Sequence, residues 1–322
     1  MGELMRILIA YDGSDCADAA LDDLQRAGLP PDSVEAAVIS VTEVWLPPAP
    51  PSSVEILEEA EESHVPAEVQ KLYARNSKAL EEARELAERA KERVQKNFPG
   101  WQVSAEATAG SPAWEIISKA DAWKPELIVV GSQGSTALGR FVLGSVSQKV
   151  LTEVRCSVRV ARGRVEASRA AVRLVIGVDG SPGSAGAVRA VAARRWPEGS
   201  EARVIIIEDP LVPTALGRLV PPVARWIEAS NKEDSGWVQR AADEAAEQLR
   251  AADLIVSSIV ETGEPKHVLI EEAEKWEADC IFVGSTGFSS RFSRFLLGSV
   301  SAAVAARAHC SVEVARAWQE EE

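Results

Sequence analysis

GSQGSTALGRFVLGS, residues 131–145, follows the apolar run 127–130 and leads into an amphipathic segment, 146–154. The order is strand, glycine-rich loop, helix. Such a junction presents backbone N–H groups and the positive end of a helix to an anion, usually a phosphate. Gly131 and Gly134 lie three apart, and nine residues (135–143) then precede the pair Gly144-Ser145. Glycine has no Cβ, so backbone can approach a ligand closely there. A serine at a helix start caps the helix or hydrogen-bonds a phosphate oxygen. The stretch returns as GSTGFSSRFSRFLLGS, residues 284–299, after the apolar run 280–283 and again before a helix-like segment. Two copies of one loop predict two copies of one domain.

Working outward, the first half reads as alternating strands and helices. Residues 5–11 form a buried strand that ends in Asp12-Gly13-Ser14. Asp12 stands where open α/β sheets bind ligands, at the carboxyl end of a strand; equally, Asp12 or Ser14 caps the next helix. A short helix over 16–27, a strand over 34–41 and a proline-rich stretch over 42–53 with Trp45 follow. The prolines exclude regular structure from that stretch, which reads as a surface crossover or a flap. Residues 54–97 are helical in character, with an apolar stripe through Leu72, Ala79, Leu80, Ala83, Leu86, Ala87, Ala90 and Val94. A strand over 101–109, a helix over 113–123, the strand 127–130, the glycine loop with its helix, and a strand over 157–161 complete the half. This β-α repetition predicts a parallel sheet with helices on both faces.

The second half repeats the order. Asp179-Gly180-Ser181 matches Asp12-Gly13-Ser14, Gly263-Glu264-Pro265 matches Gly110-Ser111-Pro112, and the closing pieces CSVRVAR and CSVEVAR differ at one position. The expected division is a domain at 1–162, a basic, solvated linker at 163–172, and a domain at 173–322. Two such units meeting through matching surfaces would resemble a homodimer with a pseudo-two-fold axis.

Composition narrows the function. The formal charge of −14 argues against non-specific nucleic-acid binding, which needs clustered Lys and Arg. No apolar run approaches the ~20 residues that span a bilayer, so no membrane partner is expected and the reading is a cytoplasmic protein. The four cysteines and three histidines are scattered, without metal-ligand spacing. The cysteines read as small core residues, and no metal site is expected. The loop has no GxxxxGK[ST] lysine and no accompanying histidine or paired carboxylate, so no catalytic residue is assigned.

The set AYDGS and GVDGS, GSP and GEP, GSQG…LGSVS and GSTG…LGSVS, in order and twice, resembles the universal stress protein family in its tandem, two-domain form. The resemblance covers nearly the whole chain. It implies two Rossmann-like, doubly wound α/β domains, each with a five-stranded parallel sheet in the order 3-2-1-4-5. It implies that Gly131, Gly134, Gly144 and Ser145 wrap the ribose and phosphates of ATP, or of AMP or ADP, with Mg²⁺ carried by the phosphates. Asp12 would sit beside the adenosine and Val41 would offer its backbone to the adenine edge. Ser132, Val146 and Ser147 would neighbour the phosphates or ribose. In the second half the corresponding residues are Asp179, Ile207, Gly284, Gly287, Gly298 and Ser299. There ten residues (288–297) separate Gly287 from Gly298, one more than in the first half, and the loop carries Arg291 and Arg294. A weaker or structural second site is expected. The function implied is an adenine-nucleotide-binding stress-response module with an unidentified regulatory partner, an intramolecular pseudo-dimer that either stays a monomer or pairs further as a homodimer. The alternatives are a scaffold that binds no nucleotide and a slow ATPase.

Overall fold

A computed structural model describes residues 4–44, 67–133, 143–162, 171–208, 240–285 and 297–316. The first half runs β1 (Met5–Ala10), α1 (Asp15–Asp23), β2 (Asp32–Thr42), α2 (Ala67–Asn97), β3 (Gly100–Ala109), α3 (Pro112–Trp123), β4 (Leu127–Gly131), α4 (Ser145–Glu153) and β5 (Ser157–Ala161). The second runs β6 (Arg173–Val178), α5 (Pro182–Ala192), β7 (Glu201–Glu208), helix α6 (residues 240–250), β8 (Ile255–Thr262), α7 (Pro265–Lys275), β9 (Cys280–Gly284), α8 (Ser299–Arg307) and β10 (Ser311–Ala315). The expected proline-rich flap beyond Val44, Gly134, Gly287, Arg291 and Arg294 lie outside the described residues.

Each half has the expected strand order, and the halves share a single ten-stranded sheet: β3-β2-β1-β4-β5-β10-β9-β6-β7-β8. Pairing within each half is parallel; β5 and β10 join the halves antiparallel. Strand β1 sits between β2 and β4, and β6 between β7 and β9, so each half has a point where successive connections leave to opposite sides. Ligands bind outside such points in open α/β sheets.

Alternation along the strands sorts side chains to two faces. Leu8, Ile128, Val158 and Val160 of the first half pack with Ile281, Val283, Val312 and Val314 of the second in one core that crosses the β5–β10 seam. On the opposite face the apolar packing divides. Ile7, Ile9, Leu21 and Val129 form one cluster, and Leu174, Ile176, Val188 and Phe282 another.

Several boundaries differ from the sequence reading for local reasons. Helix α1 stops at Asp23 and tightens into a 3₁₀ turn over Leu24–Arg26. Helix α5 ends at Ala192, and the Trp196 indole N–H donates to the Val191 carbonyl at 2.9 Å, a C-terminal closure that replaces the last expected turn. The stripe on α2 is buried at Ala83, Ala87, Ala90 and Val94 while Leu72 is exposed, because only the C-terminal part of this helix lies over the sheet. Of the expected linker, residues 163–170 lie outside the described residues; Val172 at its end is buried, as is Arg162 just before it. Of the cysteines, Cys156, Cys280 and Cys310 are buried, and Cys16 is only partly so.

Candidate functional site

The turn after β1 needs a backbone that L side chains rarely adopt. Gly13 has φ +74° and its counterpart Gly180 +69°. The turn divides the two roles proposed for its polar residues. Asp12 Oδ1 accepts from the Ser14 N–H (3.0 Å) and from the Ser14 hydroxyl (2.6 Å). Ser14 Oγ in turn accepts from the Ala17 N–H at 3.2 Å and caps α1. Asp179, Ser181 and Ser184 repeat the arrangement, with Ser181 N–H and hydroxyl 3.0 and 2.5 Å from Asp179 Oδ1. The serine is the cap, and the aspartate orients the serine.

Gly131 and Gly284 are glycine because a helix crosses them. A Cβ on Gly131 would lie 2.9 Å from the Cys16 carbonyl carbon, and one on Gly284 would lie 2.3 Å from that of Gly183. What comes close to these two glycines is the first turn of α1 or α5. The Ser147 hydroxyl donates to the Gly131 carbonyl at 2.6 Å, and Ser301 repeats this on Gly284 at 2.5 Å. The neck of each loop is closed by one backbone bond: Gly144 N–H to the Ser132 carbonyl (2.8 Å) and Gly298 N–H to the Ser285 carbonyl (2.6 Å). Gly144 and Gly298 have the same conformation, φ −63° ψ 152° and φ −64° ψ 151°. The extra residue of the second loop therefore leaves its neck unchanged.

Helices α1 and α5 start under serine side-chain caps, whereas α4 and α8 start at a glycine and have no side-chain cap among the described residues. The first N–H groups of an uncapped helix, with the positive end of its dipole, suit an anion. In the first half this helix end opens into a cleft of about 490 Å³ above the carboxyl ends of β1 and β4. Asp12, Val41, Gly131, Gly144, Ser145, Val146 and Ser147 all line it. Ser132 is buried behind the neck, its hydroxyl 3.8 Å from Cys16 Sγ.

Sequence reasoning missed the walls. Glu43 at the end of β2, Pro112 and Ile116 of α3, and Ala79, Glu82, Ala83 and Leu86 of α2 also line the cleft. The apolar stripe on α2 was the available signal, since Ala79, Ala83 and Leu86 belong to it. Tyr11 lines the cleft too; its hydroxyl donates to Asp18 at 2.8 Å. Arg93 of α2 bridges Asp18 (2.8 Å) and Asp22 (2.6 Å), which ties the covering helix to α1. Burial, then the bond to Asp18, pushes the Tyr11 phenol up from 10.0 to about 12. The charged side chains among the described lining are Asp12, Glu43 and Glu82. An anionic group here would be met by backbone N–H and the α4 dipole, and the acidic walls suit hydroxyl and amine donors.

In the second half, Asp179, Ile207, Gly284, Gly298 and Ser299 occupy the matching places in the sheet and neck. Among the described residues of this half, a cleft of about 180 Å³ lies elsewhere. It sits between α5 and α6, lined by Val178, Ser184, Val188, Arg240, Glu244 and Gln248 among others, and includes none of those five candidates. Among the described residues of the whole chain, no group of three or more His, Cys, Asp or Glu side chains could hold a metal ion. No described helix is long and apolar enough to cross a membrane.

Strand order, the switch points and the glycine necks define a duplicated, doubly wound α/β protein with an anion-suited cleft in its first half. The universal stress protein family model matches residues 3–162 and again 172–316, so the chain belongs to the universal stress protein family as a tandem, two-domain member. A universal stress protein from Mycolicibacterium smegmatis is 33% identical over 192 residues, covering 59% of this chain and 62% of that protein. The chain thus spans about 62% of the length of the curated relatives it matches. The crystal structure of a universal stress protein from Archaeoglobus fulgidus covers 97% of this chain and 98% of its own, at 20% identity and a TM-score of 0.58. A family protein from Arabidopsis thaliana, solved with AMP bound, covers 45% of this chain and 91% of its own at 15% identity and a TM-score of 0.30.

Proposed function

We propose that the first half binds one adenine nucleotide in the cleft between β1, β2, α2 and α4, and that the chain acts as a nucleotide-responsive regulatory module. The observation that carries this reading is the uncapped start of α4 at Gly144, aimed into a cleft of about 490 Å³ that gathers Asp12, Val41, Ser145, Val146 and Ser147. The phosphates meet the α4 N–H groups and the Ser145 hydroxyl. The ribose and adenine lie toward Asp12, Val41 and the acidic walls, whose carboxylates accept from ribose hydroxyls and the adenine amine. The residues fit a nucleotide at the helix end, and they fit Mg²⁺ only as an ion carried by the phosphates, since the described carboxylates are not grouped as ligands.

Binding, rather than turnover, is the function this geometry supports. The described lining includes no lysine, arginine or histidine to reach a terminal phosphate, and Asp12 Oδ1 already accepts two hydrogen bonds from Ser14. Titration calorimetry with AMP, ADP and Mg²⁺–ATP tests the reading. The expected result is about one site per chain. No heat and no saturable binding of any of the three at millimolar concentration would leave the chain as a pairing scaffold.

A further inference from the structure

The seam between the halves holds a charge arrangement that nucleotide binding does not use. Strands β5 and β10 pair antiparallel with Val158 opposite Val314, Arg159 opposite Glu313 and Val160 opposite Val312. In the duplicated pieces CSVRVAR (156–162) and CSVEVAR (310–316), Arg159 and Glu313 are the same position. The pseudo-two-fold axis therefore passes through this pair, and it is the one place where the two pieces differ.

Around the axis the two halves make similar contacts, with the serine bonds matching and the arginines reaching different carbonyls. Arg162 donates to the Ala308 carbonyl at 2.6 Å, and Arg316 donates to the Leu151 carbonyl at 2.6 Å, so each half closes the end of the other's last helix. Ser311 Oγ accepts from the Arg162 N–H and Ser157 Oγ from the Arg316 N–H, both at 3.1 Å. These contacts would serve two like halves as well as two unlike ones.

On the axis the symmetry is broken, in a buried site. Arg159 is 1% exposed and Glu313 0%. Arg159 Nη1 lies 3.2 Å from Glu313 Oε2, and its other nitrogens reach both oxygens of Asp23. Glu313 Oε1 is taken by Arg194. The counterparts of Asp23 and Arg194 in the other half are Ala190 and Ala27, so the outer charges are also one-sided. Two like halves pairing through this edge would put guanidinium against guanidinium or carboxylate against carboxylate in a dry site. A buried charge facing its like is strongly unfavourable, whereas the opposite pair satisfies both.

We infer that the Arg159–Glu313 pair is a partner-selecting lock: the β5 edge accepts a β10-type edge and rejects a copy of itself. Its fitting partner is the unlike half, supplied by the same chain, and the like half of a second copy is refused at this edge.

Charge reversal in the full chain tests the lock. Arg159→Glu and Glu313→Arg each place like charges on the axis. Light scattering after gel filtration should show that neither variant alone keeps the mass and elution volume of the wild type. Refolded together in equal amounts, they should give a two-chain species absent from either sample, because the Arg159→Glu chain offers its Glu313 to the Arg159 of the Glu313→Arg chain. Should either variant precipitate alone, the readout is soluble protein, which co-refolding should raise several-fold. A single variant that keeps the wild-type mass and melting temperature would overturn the inference. A mixture with no two-chain species and no gain in soluble protein would also overturn it.

Discussion

The two halves agree in backbone and disagree in what fills it. Each has the 3-2-1-4-5 order, an Asp-Gly-Ser turn at positive φ, and a glycine neck closed by one N–H bond. In the first half, Tyr11, Asp18, Leu86 and Arg93 fill the space between α1 and α2, and Leu86 packs directly against Gly13. This anchors α2 beside the cleft above the neck. In the second half Val178 and Ala185 replace Tyr11 and Asp18, and the space between α5 and α6 is open as the smaller cleft. Duplication preserved the scaffold, while the side chains between the first and second helices of each half differ. The seam differs in the same way: one face carries a continuous apolar core, and the other a set of buried charges that the two halves do not share.

The largest difference between the halves is expected at the crossing glycines. A Cβ at Gly284 meets backbone at 2.3 Å, and one at Gly131 meets backbone at 2.9 Å. Neither neighbour is a flexible side chain that can swing aside. Gly284→Ala should therefore cost about 3 kcal/mol and Gly131→Ala about 1 kcal/mol, the upper and lower ends of overpacking in a filled core. Urea midpoints of the two variants check the order; equal midpoints would mean that the two helix crossings are not distinguished by their closeness.

A smaller effect sharpens the contrast between Tyr11 and Val178. The folded state holds the Tyr11 phenol neutral up to about 12, from an ordinary value of 10.0, through burial first and then its bond to Asp18. Between those values the unfolded chain loses a proton that the folded chain retains, so this contribution to stability is present below pH ~10 and is lost as pH rises toward ~12. Tyr11→Phe should lower stability near neutral pH by about 1 kcal/mol, as for one hydrogen bond. The same change should flatten the alkaline decline. An unchanged slope in Tyr11→Phe would assign the decline to other groups, among them the Cys156 and Cys310 thiols, which burial pushes up to about 12.

Much of this was legible in the chain because it is written twice. Apolar runs ending in Asp-Gly-Ser, and glycine loops ending in Gly-Ser, place both switch points from local pattern alone. What stayed hidden depends on contacts distant in sequence. Glu82 and Leu86 reach the cleft only because α2 folds back over β2 and β3. The exchange of Arg159 for Glu313 is visible as one differing letter, but its meaning needs the antiparallel register that sets the two face to face. Local pattern assigns the loop glycines to ligand approach, yet Gly131 and Gly284 answer first to a helix that no local pattern places there. Asp12 left two roles open because an aspartate that orients a capping serine and one that faces a ligand look the same in sequence.

The central claim is that matching necks serve unlike sites, with nucleotide held by the first half. The most direct test is Mg²⁺–ATP binding by equilibrium dialysis to Gly144→Val and Gly298→Val, each compared with the wild type after both are shown to be folded. Gly144→Val should lose binding by at least about tenfold, roughly 1.4 kcal/mol, because the added side chain stands at the helix end that opens into the cleft. Gly298→Val should keep the wild-type affinity and about one nucleotide per chain. Loss of binding in Gly298→Val with retention in Gly144→Val would contradict the claim.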